Sequence, residues 1–161
     1  AINGHCVGGG LEVAMAADLR VAREGGGKMG LPEVHLGVLP GTGGTQRLAR
    51  MVGKSKAIEL MATGANFDFE AASELGLVNE VLPADDFMGH VMAYAKKFCP
   101  PGRASHAVGL IKRSVQSGLE MSFQDGLALE RELQQQLFTS ADAKEGIGAY
   151  NEKRKPVFKG N

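Results

Sequence analysis

From Leu11 to Ala17 every residue is apolar except Glu12, and three glycines, Gly8 to Gly10, run directly into the segment. An apolar pattern that continues nearly all round a helix predicts a short buried helix, and Glu12 is then a lone carboxylate in its first turns. Before it, "AINGHCVG" reads as a short strand with Asn3-Gly4 as turn residues, and after it "DLRVA" reads as a second strand. The glycines of "REGGGK" mark a loop, and "MGLPEVHLGVLPGTGG" is strand followed by irregular chain, punctuated by Pro32 and Pro40. Two helices follow, one stopping at Gly53 and one at Gly64. "DFEAASELGLVNEVLP" predicts a helix closed by Gly76 and a strand Leu77–Leu82 stopped by Pro83.

Beyond Pro83 the pattern is helical. Phe87–Phe98 and Ala104–Val115 read as helices, and Phe123, Leu127, Leu133 and Leu137 recur at helical spacing. Asp142 is expected to open a last helix, with Glu145 completing a capping box. Short strands mixed with helices, then helices alone, give an α/β or α+β class; we take α/β, divided into a core of 1–83 and a helical region of 84–161.

Composition narrows the function classes. The 161 residues carry 18 basic and 18 acidic side chains, so charge gives no reason to expect nucleic acid or a membrane surface as partner. Lys96-Lys97 and Lys112-Arg113 are scattered pairs that read as solvated helix faces. No apolar run is long enough to span a bilayer. Cys6 and Cys99 form neither a disulfide framework nor a metal-ligand spacing, so no metal is expected. They fit a reducing compartment better than a secreted setting.

The first candidate site is Gly8-Gly9-Gly10 with Glu12. A helix start presents backbone N–H groups without intrahelical partners, and glycine lets another molecule come close to them. Such a start suits an anion, or an oxygen that becomes negative during a reaction. A buried Glu12 needs a partner, and it could serve as acid–base group or as an ordinary helix-start residue; the residues alone leave both open. Nucleotide signatures fail: neither Gly8, Gly10 and Val13 nor Gly41, Gly43 and Gln46 complete G-x-G-x-x-G, and no P-loop lysine follows either glycine cluster.

The second candidate is Glu33, after Pro32, where an acid in a first turn is also unremarkable. "PGTGGTQRL" reads as a tight loop into a helix, with Thr42 or Thr45 as N-cap and a purely structural role. His5 and His35 have no nucleophile at a fixed spacing and read as packing residues.

Taken together, these segments resemble the crotonase, or enoyl-CoA hydratase/isomerase, superfamily. "INGHCVGGGLEVAMAADL" resembles its signature and "GLPEVHLGVLPGTGGTQRL" its second block. "AASELGLVNEVLP" and "DAKEGIGAYNEKRKPVFKGN" resemble its helix–strand segment and its ending, in the right order over essentially the whole chain. The resemblance implies a crotonase-like fold of ββα superhelical turns, here only the C-terminal part, followed by a helical trimerisation region.

It also implies chemistry. The expected activity is addition of water to a trans-2-enoyl-CoA, giving a 3-hydroxyacyl-CoA, in fatty-acid or related acyl-CoA degradation. Acyl-CoA is the substrate and no cofactor is implied. The amide of Gly9 would hold the thioester oxygen, with Gly8 and Gly10 lining the substrate. Glu12 would activate water, and Glu33 would protonate the α-carbon. Tyr150 and Lys153 match positions near the CoA nucleotide. A double-bond isomerase, another crotonase reaction and a non-catalytic scaffold are the alternatives.

A trimer or dimer of trimers is implied, in the bacterial cytoplasm or the mitochondrial matrix. The family's N-terminal part, which supplies the other oxyanion N–H, has no counterpart here. Glu12 and Glu33 lie 21 positions apart, one more than usual, with the extra residue expected in "EGGGK".

Overall fold

The computed structural model describes residues 1–161. The chain divides into two compact units, Ala1–Val91 and Met92–Asn161.

The first unit opens with β1 (Cys6–Val7), α1 (Gly9–Met15), β2 (Val21–Arg23) and β3 (Lys28–Gly30). A 3₁₀ turn, Glu33–Leu36, precedes α2 (Gly44–Val52) and α3 (Lys54–Thr63). Then come β4 (Asn66–Asp68), α4 (Phe69–Glu74) and β5 (Glu80–Leu82), and α5 (Phe87–Lys96) runs on past the end of the unit.

Two small sheets result. β3 pairs in parallel with β1 and antiparallel with β4, while β2 and β5 form a parallel pair. The opening segment serves both sheets. Ile2 bridges Ala22 beside β2, and after the Asn3-Gly4 turn the chain joins β3 through Cys6 and Val7. Parallel pairing demands a crossover between partners, and α1 supplies one of them, between β1 and β3.

The core forms where the faces of these elements meet. Leu11 and Met15 of α1, Met29 of β3, Leu48 of α2, Ala57 of α3, and Phe69 and Ala72 of α4 are all buried in one cluster. Arg20 is also buried, at 6% exposure. Its Nε donates to the Leu77 carbonyl at 2.6 Å and its Nη1 to the Ala17 carbonyl at 2.6 Å, so one cation joins the chain just past α1 to the chain between α4 and β5. Burial pushes its guanidinium pKa down, and nearby Asp18 opposes the shift.

The second unit holds α6 (Ser105–Gly118), α7 (Phe123–Phe138) and α8 (Ala141–Asn151), with Leu133 and Ala149 buried. Its last residues fold back on α8. Lys159 and Gly160 donate their amides to the buried Asp142 carboxylate, and Phe158 packs its ring over Gly146.

Several expectations change. α1 is not buried all round, because Val13 faces outward at 72% exposure. The strand expected over Leu77–Leu82 is confined to Glu80–Leu82, and β4 had no apolar alternation to announce it. The α7 stripe divides: Leu133 is buried, but Phe123 is 76% exposed. The last helix is capped by Ser140, whose Oγ accepts from the Ala143 amide at 3.0 Å. Asp142 and Glu145 are therefore not a capping box, since both carboxylates reach forward to the tail.

Candidate active site

Gly8 is the pivot of the site. Its φ of 59° lies in the left-handed region, which turns the chain from β1 into α1 at little steric cost for glycine. Its amide donates to the Gly30 carbonyl at 2.9 Å and its carbonyl accepts from Leu11 and Glu12. The next two amides, of Gly9 and Gly10, stand at the first two helical positions, which have no intrahelical acceptor. Both glycines are exposed, and a Cβ at either would meet no atom within 4 Å.

Glu12 is buried, at 4% exposure, and its partner lies 30 residues along the chain. Oε1 accepts from the Thr42 amide at 2.7 Å and from the Gly44 amide at 2.8 Å. Gly44 is the first residue of α2, so the carboxylate sits against that helix's positive end. The expectation that Thr42 or Thr45 would cap α2 is corrected here. The cap residue is Gly43, with no side-chain capping bond, and Glu12 from α1 supplies the oxygen instead.

Close approach explains the glycine at 44. A Cβ there would lie 2.8 Å from Glu12 Oε1 and 2.7 Å from Pro40 Cβ. The "GTGG" loop is thus part of the site's support, which its lack of acids and bases had hidden.

Glu33 opens the 3₁₀ turn, as its place after Pro32 suggested. Its Oε1 is 3.1 Å from the position of a Cβ on Gly8, the residue that begins the Glu12 helix. Its Oε2 is buried and meets no hydrogen-bond donor. The two carboxyl groups therefore differ: one is pinned by two amides, and the other keeps a buried oxygen without a partner.

Residues 24–27 form the turn between β2 and β3. His5 Nδ1 accepts from the Lys28 amide at 3.1 Å, and the His35 ring lies against Gly64. No group of three or more His, Cys, Asp or Glu gathers as a metal cluster would. No helix is long and apolar enough to cross a membrane.

Tyr150 and Lys153 belong to the second unit, where both are exposed at the end of α8. Arg154 beside them binds Glu145 through both guanidinium Nη atoms, at 2.6 and 2.9 Å, and Glu152 through Nε at 2.6 Å. The Arg154 bonds to Glu145, and then the Val157 amide, pull the Glu145 carboxyl pKa down to about 2.

The sequence pattern of one family, described as enoyl-CoA hydratase/isomerase, matches residues 1–161. The chain belongs to the enoyl-CoA hydratase/isomerase family. It is similar to "Probable enoyl-CoA hydratase, mitochondrial" of Dictyostelium discoideum, at 39% identity over 98% of this chain and 56% of that protein. It is also similar to "Enoyl-CoA isomerase/hydratase fer4" of Mycosarcoma maydis, at 39% identity over 99% of this chain and 58% of that one.

Among solved structures, "Enoyl-CoA hydrates" from Geobacillus kaustophilus HTA426 shares 48% identity and a TM-score of 0.92, covering 99% of this chain and 60% of that one. The Bacillus anthracis enoyl-CoA hydratase shares 36% identity and a TM-score of 0.88, with the same coverages of 99% and 60%. The mixed α/β architecture is that of this enoyl-CoA hydratase/isomerase family. The chain spans 56–60% of the length of these relatives.

Proposed function

We propose that this chain carries the acid–base half of an enoyl-CoA hydratase, which adds water to a trans-2-enoyl-CoA in syn fashion and yields a 3-hydroxyacyl-CoA. The observation that carries the reading is the pair of carboxyl groups at the start of α1. Glu12 lies in that helix's first turn, and Glu33 reaches its opening glycine.

Water is a poor nucleophile and an α-carbanion a poor intermediate, so the reaction needs a base, an acid and an oxyanion site. Glu12, pinned through Oε1, is the base that takes a proton from water as it attacks the β-carbon. Glu33 delivers a proton to the α-carbon. The Gly9 amide donates to the thioester oxygen as it gains enolate character, with Gly8 and Gly10 giving the substrate room to approach. One such donor is worth about 3–4 kcal/mol.

Tyr150 and Lys153 are proposed contacts for the CoA nucleotide. Acyl-CoA degradation, in the bacterial cytoplasm or the mitochondrial matrix, is the proposed setting; the Dictyostelium relative bears a mitochondrial name. A homo-oligomer is proposed as well. The second unit leaves Ile111, Val115, Leu119 and Phe123 exposed, which supports an apolar contact between copies.

A second reading is favoured by the engagement of Glu12 as the cap of α2. In a double-bond isomerase Glu33 alone would shuttle the proton, and Glu12 would be structural. The deciding experiment assays hydration of crotonyl-CoA and isomerisation of a 3-enoyl-CoA by a polypeptide that carries this chain. Under the hydratase reading, Glu12→Gln and Glu33→Gln each lower hydration by roughly 10²–10⁴-fold. Isomerisation that survives Glu12→Gln, without hydration in the parent, establishes the isomerase reading. A chain that binds no acyl-CoA in calorimetric titration is a scaffold, and both catalytic readings fall.

A further inference from the structure

Glu12 and the loop that holds it meet at three consecutive residues, Thr42, Gly43 and Gly44. The amides of Thr42 and Gly44 donate to Glu12 Oε1, at 2.7 and 2.8 Å. The carbonyls of the same stretch have a different partner. Arg47 donates its Nη1 to the Thr42 carbonyl at 3.0 Å and its backbone amide to the Gly43 carbonyl at 2.9 Å. One residue of α2 thus grips two successive carbonyls of the loop whose amides pin Glu12. Thr42 is held at both ends, its N–H by a carboxylate and its C=O by a guanidinium.

The loop needs such a hold. Three of the four residues Gly41 to Gly44 are glycine, which gives up more conformational freedom on ordering than any other residue. Gly43 stands in the left-handed region with φ of 95°, and no side chain from within the loop caps α2. The Arg47 guanidinium occupies the place that a Cβ on Gly43 would take, so it packs over that glycine while bonding its neighbour. Thr42 is exposed, whereas Glu12 is buried. Arg47 therefore fastens from outside a loop that the carboxylate fastens from inside.

We propose that Arg47 is a positioning residue for the hydration: it sets the Thr42–Gly44 loop so that both amides reach Glu12 Oε1, and it acts on the reaction only through that carboxylate. The inference rests on the hydratase reading given above. The planar guanidinium lies over Gly43 while one of its nitrogens donates to Thr42; an ammonium offers the bond without the plane. Once that side chain is removed, the glycines free the loop and the two amides drift. Glu12 then loses the orientation in which it takes a proton from water.

The test measures hydration of crotonyl-CoA by a polypeptide that carries this chain, together with amide hydrogen exchange. The variants are Arg47→Met, Arg47→Lys, Glu12→Gln and the double variant of Glu12→Gln with Arg47→Met. Arg47→Met is expected to lower kcat about tenfold and leave KM unchanged, because a slightly misplaced base costs rate and not binding. Arg47→Lys is expected to stay within about threefold of the parent. Beside Glu12→Gln, Arg47→Met is expected to cost about twofold or less, because two changes that act through one group do not add. Exchange at the Thr42 and Gly44 amides is expected to rise about tenfold in Arg47→Met. The Ala57 amide, bonded to the Gly53 carbonyl at the start of α3, is expected to exchange as in the parent.

Unchanged exchange at Thr42 and Gly44 overturns the clamp, whatever the activity. Faster exchange at Ala57 as well marks a general loss of stability and overturns it too. Faster exchange at the loop with kcat unchanged, a rise in KM alone, or a loss that persists in full beside Glu12→Gln removes the positioning role and leaves the hydratase reading standing. A parent that does not hydrate crotonyl-CoA brings down the hydratase reading and the positioning role that rests on it, and the exchange rates then decide separately whether Arg47 holds the loop.

Discussion

The amide of Gly44 donates to Glu12 Oε1 across 2.8 Å, joining the first residue of α2 to the first turn of α1. With the Thr42 amide on the same oxygen, the proposed base is held by two backbone donors, which cannot rotate away as side-chain donors can. A group held this way is oriented before substrate arrives, which is where much of the benefit of a preorganised site lies.

Gly44→Ala tests that support. Its methyl would overlap both Glu12 Oε1 and Pro40 Cβ, so the carboxylate or the loop must shift. A displaced base is expected to cost about 10²-fold in kcat. The check is hydration kinetics beside circular dichroism, where a folded variant with unchanged kcat would count against the role given to Glu12.

Arg20→Ala removes the donors that serve the Leu77 and Ala17 carbonyls. The Leu77 carbonyl is left buried without this donor while the Ala17 carbonyl is only part-buried, which predicts a loss of about 1–3 kcal/mol, readable by urea denaturation. Arg20→Lys should recover only part of this, because an ammonium cannot reproduce the fork that meets both carbonyls.

The tail should be acid-sensitive through Glu145. Its carboxyl is held at about 2, chiefly by the Arg154 side-chain bonds, below its ordinary value of 4.5. A folded-state pKa below the unfolded one means that the contribution is full above about 4.5 and fades as pH falls toward about 2. Thermal unfolding of the parent and Glu145→Gln should therefore differ at pH 6 and converge near pH 2. A gap that does not change with pH would contradict the assignment.

Asp142→Ala should release the last residues. Two amides lose their acceptor, at a cost of about 1–3 kcal/mol each where water does not replace it. Hydrogen exchange at Lys159 and Gly160 should accelerate, while that of α7 stays as in the parent.

Much of this molecule was legible along the chain. Gly53 and Gly64 end their helices where the pattern predicted, because each takes positive φ; Asp68 and Ser140, which accept from amides three residues on, carry the same kind of local signal, although the pattern pointed to Asp142 for the last helix. Such signals are local, since propensity and capping act within a turn or two. β4 was missed for the converse reason: Asn66–Asp68 pairs with Lys28–Gly30, and a three-residue strand is specified by its partner more than by its own pattern.

The site divides in the same way. The sequence by itself determined the glycine-led helix start, the acid in its first turn, the acid after Pro32 and the family resemblance that joins them. Tertiary structure alone decided that Glu12 caps α2 from 32 residues away, that Glu33 sets one carboxyl oxygen against Gly8 and keeps the other buried without a partner, and that Arg154 is clamped beside Lys153. Each depends on which backbone amides and carboxylates meet across the fold. Periodicity and propensity carry no record of that, because hydrogen bonds act over about 3 Å in space, whatever the separation along the chain.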